Sequence, residues 1–570
     1  MLNQVRQLLP ENSRQYREET SQRIAWGHWF ALFNIVLALL IASRYAFEAD
    51  WPNTLLGKLY FFVSLFGHFS FVIFAVYLLL LFPLSFVIKH NRAFRAISVV
   101  VASAGLTVLL VDTEVFKRFY LHLSPLVWDL LVNPDEGELA RHWQLLFVPM
   151  PLILLAQMLY SRWCWNKLRS FSRQKWGKYV ALFFLACFTL THLVYAWADM
   201  TVYRPITAQK ANYPLSYPMT ARSFLEKHGF VDKQDLAQRA EEQGRADTFF
   251  LNYPKNNLVF GPLEQPINLV IINLSELNNQ DIAPETMPTL WQISQQSQRF
   301  MQHYSGGDSK AASLVSLFYS LSGRYTDAIL NEQTPSPLIQ ALQAAHYELG
   351  LFSHNGFAEP IYGRSLFKDF KLPQAKDNAE AIGQWQAWLE KAANQPHFSY
   401  LDLASENKAS LDQALQTIWT RLEGKGLLHK SLILITAEKA GKDLNSNSFA
   451  QDQIEVPFLA YWQGQPNRYN SLSSQLDIMP TLLKQFFKVQ NPVSDFAQGI
   501  DLTQENHRRW ILASNYQWNV AILPTGEQYQ IDRKGHLDYY DSEGNKQKAS
   551  RPPLAMFLQL LQQSNQFVEK

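Results

Sequence analysis

Five stretches of mostly apolar residues, all within the first 200 positions, limit what this chain can become: Ile24–Ile41, Leu59–Ile88, Phe94–Val111, Trp143–Tyr160 and Lys178–Ala198. A helix needs about 20 such residues to cross the hydrocarbon core of a bilayer, and each stretch comes close to or passes that length. The second would rise about 45 Å as one helix, whereas two passes would need about 40 residues, so it reads as one long helix with Pro83 near its end. The sequence therefore predicts five transmembrane helices in residues 1–200. The polar N-terminus lacks the short apolar core of a cleavable signal peptide, and none is expected.

Lysine and arginine placement orients the bundle. Arg6, Arg14, Arg17 and Arg23 precede the first stretch. Lys89, Arg92 and Arg95 follow the second, and Arg162, Lys167, Arg169, Arg173 and Lys175 follow the fourth without an acid among them. The other two connections mix signs. The N-terminus is expected in the cytoplasm, and everything after the fifth helix on the periplasmic side of an inner membrane. His28, His68 and Asp112 lie in or near the membrane segments, and Asp112 is expected to be solvated at the interface.

The net charge of +2 over 570 residues gives no basic field for nucleic acid. Cys164 and Cys187 both belong to the apolar part, so the polar part has neither a disulfide nor a cysteine metal site.

Residues 201–265 are rich in Pro, Asn and Tyr and read as a linker. Its run from Asn212 to His228 starts near the outer-leaflet headgroups, where Thr220 can cap a helix beginning near Ala221. A helix start beside Arg222 offers free amides and a positive dipole end, which suits a phosphate. An ordinary capped connector is the plainer reading of the same residues.

From Asn268 onward, apolar runs alternate with helical patterns. The runs are Asn268–Leu274, Glu348–Ser353, Phe398–Leu403, Ser431–Ala437 and Pro457–Trp462; the helices include Pro288–Phe300, Ala311–Leu321, Pro337–Ala345, Ala379–Ala393 and Ser410–Leu422. Continuous apolar strands between helices predict an α/β domain over 266–570 with a mostly parallel sheet covered on both faces and a site at the strands' carboxyl ends. Arg509–Tyr540 reads as an antiparallel appendage, and Leu554–Gln563 as a closing helix.

Four pieces of this part resemble the sulfatase and alkaline-phosphatase-like superfamily: Asn268-Leu-Val-Ile-Ile-Asn-Leu-Ser275, Met287-Pro-Thr-Leu290, Ser305-Gly-Gly-Asp-Ser309 and Leu476-Asp-Ile-Met-Pro-Thr-Leu-Leu483. The resemblance implies a divalent cation (Zn, Mn or Mg) held by an acid after the first strand, by a nucleophile, and by an Asp-His pair after a later strand. Such a metal would lower the nucleophile's pKa and neutralise charge on the transferring group. Here the acid position holds Ser275, and Glu438 and Lys439 stand where the Asp-His pair belongs. Gln451 and Gln475 replace histidines, and Lys439 is expected to put a cation where the metal should sit. Only Ser309 is left as a vestigial nucleophile, with an alternative reading as a helix N-cap. Asp308, Asp402, Asp452 and His354 do not form a spaced motif. No cofactor and no confident catalytic residue are expected, and the domain reads as a non-catalytic pseudo-hydrolase. A metal-dependent hydrolase or headgroup transferase stays as the alternative.

The membrane half resembles a narrower family, YejM, also called PbgA. The resemblance rests on Ile24-Ala-Trp-Gly-His-Trp-Phe-Ala-Leu-Phe-Asn34, Gly67-His-Phe-Ser-Phe71, Asn133-Pro-Asp-Glu136 and Tyr213-Pro-Leu-Ser-Tyr-Pro-Met-Thr-Ala-Arg222. It implies binding of lipid A of lipopolysaccharide through Met219, Thr220 and Arg222. It also implies control of lipopolysaccharide synthesis through a LapB adaptor and the FtsH protease acting on LpxC. The family's pattern continues with a second Arg where this chain has Ser223. Cardiolipin binding and delivery to the outer membrane is the other implied role.

Overall fold

The computed structural model describes every residue except 1–10, 50, 53, 120, 126, 129–147, 172, 175, 202, 221–237, 239–240, 246, 263–265, 393, 442–446, 506, 549–551 and 570. The chain forms two compact units, one of residues 1–233 with 246–248, the other of 234–245 with 249–569.

The first unit is helical: α1 (Glu11–Ala42), α2 (Leu55–Val76), α3 (Asn91–Phe119), α4 (Met150–Asn166) and α5 (Trp176–Met200). Beyond Val76, α2 runs through one wide π turn, Tyr77–Leu81, into a last helical turn that holds Pro83. The widened turn accommodates the proline, which cannot donate within the helix. Among the described residues four helices, not the expected five, are long and apolar enough to cross a membrane: Gln15–Glu48, Leu55–Val87, Asn91–Lys117 and Trp176–Met200. The expected pass Trp143–Tyr160 begins outside the described residues, and α4 has 17 residues.

Several polar groups inside the bundle are paired with one another or with the backbone, because hydrocarbon offers them no water. Arg23 is wholly buried and donates to the carbonyls of Ser85 and Lys89, to Asn91 Oδ1 and to Thr20 Oγ1. Asn34 and Gln157 pair side chain to side chain. Asp112 differs from expectation. It is buried rather than solvated, and it accepts hydrogen bonds from the Tyr45 hydroxyl, His122 Nδ1 and the Leu123 amide.

The second unit is built on a seven-stranded mixed sheet in the order β3-β4-β1-β5-β6-β2-β7. Its strands are β1 (Asn268–Leu274), β2 (Gln298–Tyr304), β3 (Glu348–Ser353), β4 (His397–Leu403), β5 (Ser431–Ala437), β6 (Phe458–Trp462) and β7 (Asn467–Ser474). The core quartet β3-β4-β1-β5 is parallel, and β6 pairs antiparallel with both β5 and β2. β1, β4 and β5 are buried along their whole length, as continuous apolar runs require. Leu269 and Ile271 face one core with Phe318, Leu338 and Phe398. Val270, Ile272 and Leu274 face the other with Leu290, Trp385 and Leu415.

The helix expected over Pro288–Phe300 stops at Gln295 (α6, Pro288–Gln295), and the chain enters β2 three residues later. β2 and β7 are rich in polar residues and only partly buried, so neither carries the apolar signature of the central strands. Five antiparallel strands, β8 (Ile511–Ser514), β9 (Trp518–Ile522), β10 (Gln528–Asp532), β11 (Leu537–Tyr540) and β12 (Lys546–Gln547), form the appended sheet.

Candidate functional site

The carboxyl ends of β1, β4 and β5 lie side by side, with Asn273 paired to both Asp402 and Thr436 in register. Helix α7 (Lys310–Tyr319) starts beside them. Ser309 is its N-cap: the hydroxyl accepts from the Ala312 amide at 3.2 Å, and the residue is exposed. The two glycines before it have a packing reason. A Cβ on Gly306 would meet Ser316, and one on Gly307 would meet Ala312 and the Ser514 carbonyl.

Lys310 reaches from the first residue of α7 into the strand ends. Its Nζ is 3.1 and 3.3 Å from the two Asp402 oxygens and 2.9 Å from Glu438 Oε2. Asp402 is almost fully buried and also accepts from Asn273 Nδ2 at 3.1 Å and Ser353 Oγ at 2.9 Å, while His354 Nδ1 lies 3.7 Å from it. Burial works against the Lys310 ammonium, but Asp402 and Glu438 together hold its pKa above the ordinary value. Burial pushes Glu438 up, Asp402 pushes it further, and Lys310 offsets this only in part. Glu359 is likewise raised by burial, with Lys310 opposing. One ammonium thus serves more carboxylates than it can neutralise.

The remaining expected positions make the following contacts. Gln475 is buried; it accepts from Ser313 Oγ at 2.9 Å and donates to the Ala437 carbonyl at 2.8 Å. Exposed Gln451 donates to Glu455. The Ser275 amide donates to the Leu403 carbonyl at 2.9 Å, and the Lys439 carbonyl accepts from Leu277 at 2.9 Å. Asp308 accepts from Ser448 and Asn515. An ammonium between the strand ends is that of Lys310, a residue not among those expected to supply one. Sequence held one clue to it: a lysine in the first helical turn, where the dipole disfavours a cation. Among the described residues no three His, Cys, Asp or Glu side chains are grouped to hold a metal ion. With an ammonium already between the two carboxylates, the residues present do not fit the metal that the sulfatase resemblance implies.

A second site lies in the first unit, where the chain leaves α5. Tyr213 is buried among Phe61, His68 and Phe69, and its hydroxyl donates to the Phe61 carbonyl at 3.1 Å. His68 Nε2 lies 2.8 Å from the Pro214 carbonyl, and His192 Nδ1 accepts from the Met219 amide at 3.0 Å. Leu215, Tyr217 and Met219 are exposed beside this anchorage, and Tyr60, His68, Phe188, His192, Lys210 and Tyr217 line a small cleft. Thr220 is exposed; Arg222, and the helix expected to start near Ala221, fall outside the described residues. His192 was not legible as a partner, since a lone histidine in an apolar run has no motif.

Residues 12–260 match a family described only as a domain of unknown function, DUF3413. Among solved structures the chain is similar to a Vibrio parahaemolyticus protein in the alkaline phosphatase superfamily, at 14% identity and a TM-score of 0.45 over 60% of this chain and 98% of that one. It is also similar to the lipoteichoic acid synthase LtaP of Listeria monocytogenes, at 14% identity and a TM-score of 0.41 over 52% of this chain and 91% of that one. An uncharacterized protein of Haemophilus influenzae is 47% identical over 98% of both chains. The inner membrane protein YejM of Salmonella typhi is 39% identical over 97% of this chain and 99% of its own, and that of Salmonella typhimurium matches equally well. With identity at that level along essentially the whole length, the chain belongs to the YejM family of inner membrane proteins.

Proposed function

We propose that this protein is a non-catalytic lipid sensor of the inner membrane. Its ligand is lipid A of lipopolysaccharide, and its readout is control of lipopolysaccharide synthesis through a LapB-type adaptor. The N-terminus lies in the cytoplasm and the second unit in the periplasm, in keeping with the lysines and arginines clustered in alternate connections.

The observation behind this reading is the segment from Tyr213 to Met219. Tyr213, His68 and His192 tether it to α2 and α5, two of the apolar helices, while Leu215, Tyr217 and Met219 stay exposed. Exposed apolar side chains on a polar-backboned segment next to membrane helices suit an acyl-chain and headgroup boundary. Met219, Thr220 and Arg222 are assigned to the lipid's phosphorylated headgroup.

Mass spectrometry of lipids that co-purify with the full-length protein tests this. Wild type should carry lipid A, and Arg222→Glu should lose most of it. Equal lipid A in both, or cardiolipin as the enriched lipid of the wild type, refutes the assignment.

A further inference from the structure

The cleft at the strand ends of the second unit contains its own cation. Asp402 and Glu438 are largely withdrawn from water, and buried carboxylates need a compensating charge. Lys310 Nζ is within ion-pair distance of both, at 3.1 and 2.9 Å. Its backbone follows Ser309 directly, and its ammonium meets Asp402 near the end of β4 and Glu438 just after β5.

We propose that the Lys310 ammonium is the resident cation of this cleft, taking the electrostatic place of the divalent metal that the sulfatase resemblance implies. A metal ion at the same point would face the ammonium at contact distance, and like charges repel strongly in a desolvated site. Other groups face the cluster without removing the ammonium from between Asp402 and Glu438. His354 stands 3.7 Å from Asp402; Glu359 adds negative charge; Tyr362 and Tyr400 hydrogen-bond to each other at 2.7 Å; Asn273 and Ser353 donate to Asp402. The charge that a hydrolase would recruit from solution is here supplied by the chain, as an internal ion pair. This inference stands apart from the lipid reading, since it concerns the second unit alone.

The test uses the purified full-length protein. Wild type dialysed against Mn2+ or Zn2+ should retain no stoichiometric metal, and EDTA should leave the melting midpoint of the second unit unchanged. One tightly held equivalent of metal, with a lower midpoint after chelation, overturns the proposal. Lys310→Met should lower the midpoint by about 5 °C or more, because it strands two buried carboxylates. A midpoint equal to that of wild type overturns it. The double variant Lys310→Met/Glu438→Gln removes one charge of each sign and should regain most of the loss. If it is no more stable than the single variant, the loss is one of packing and the proposal fails. Should the single variant not accumulate, recovery of a folded double variant supports the proposal, and failure of both overturns it.

Discussion

Arg508 holds the fully buried Asp477 with two nitrogens, Nη1 at 3.1 Å from Oδ1 and Nη2 at 2.5 Å from Oδ2. The same carboxylate accepts from the amides of Ser474 and Ile500 at 2.8 and 2.9 Å, at the start of helix α8 (Ile478–Gln485). The acid of the Leu476–Leu483 run is therefore a joint between elements. Asp477→Ala strands a partly buried guanidinium and two amides, and should cost about 2–4 kcal/mol in equilibrium urea unfolding of the second unit. A cost under about 1 kcal/mol refutes this role.

The turn before α7 separates packing from chemistry. Gly307→Ala drives a methyl group into Ala312 and the Ser514 carbonyl, and should destabilise by about 1–3 kcal/mol. Ser309→Ala removes only the cap to Ala312 and should cost about 1 kcal/mol. Denaturant melts of the two variants should rank them in that order.

His303 is wholly buried, stacks on Phe458 at 4.7 Å and lies 3.0 Å from Ser473 Oγ. Burial, with Arg508 adding to it, pushes its pKa down to about 3. The ring is neutral when folded and takes up a proton when unfolded below about pH 6.5. Its contribution is therefore complete above pH 6.5 and is lost as pH falls toward 3, reaching about 2 kcal/mol at pH 5. His303→Phe should flatten the slope of stability against pH between 6.5 and 5 by that amount. An unchanged slope excludes a neutral buried ring.

In the membrane unit, Tyr45 and His122 share one oxygen of Asp112, and the other ring nitrogen of His122 meets the Ala211 carbonyl at 2.9 Å. Residues bonded to one carboxylate do not act independently. Tyr45→Phe and His122→Ala should be non-additive, with a coupling of about 0.5–3 kcal/mol. Thermal melts of the four members of the cycle in one detergent measure it, and strict additivity dissolves the network.

How much of this was legible in the chain depended on whether the signal was local. Val270, Ile271 and Ile272 announce a strand buried on both faces, and the observed β1 has the expected bounds. β2 did not announce itself. Gln298, Arg299 and Gln302 are polar, and what makes them a strand is pairing with β6 and β7, supplied much later in the chain. The long apolar runs were legible by length alone, but the burial of Asp112 was not, because its partner Tyr45 lies on another helix. At the strand ends, the departure of Ser275 and Gln475 from the sulfatase pattern could be read in the chain. The gain of a cation could not, since Lys310 acquires its meaning from Asp402, 92 residues downstream.

The second unit closes where it begins. Leu251 forms an antiparallel bridge with Val568, the Asn252 amide donates to the Phe567 carbonyl, and the Glu569 amide donates to the Phe250 carbonyl. Segments more than 300 residues apart therefore meet in one seam. A contact of that sequence separation is among the slowest for a folding chain to make. Trimming buried Phe567 to a small side chain would thus loosen both ends of the unit at once.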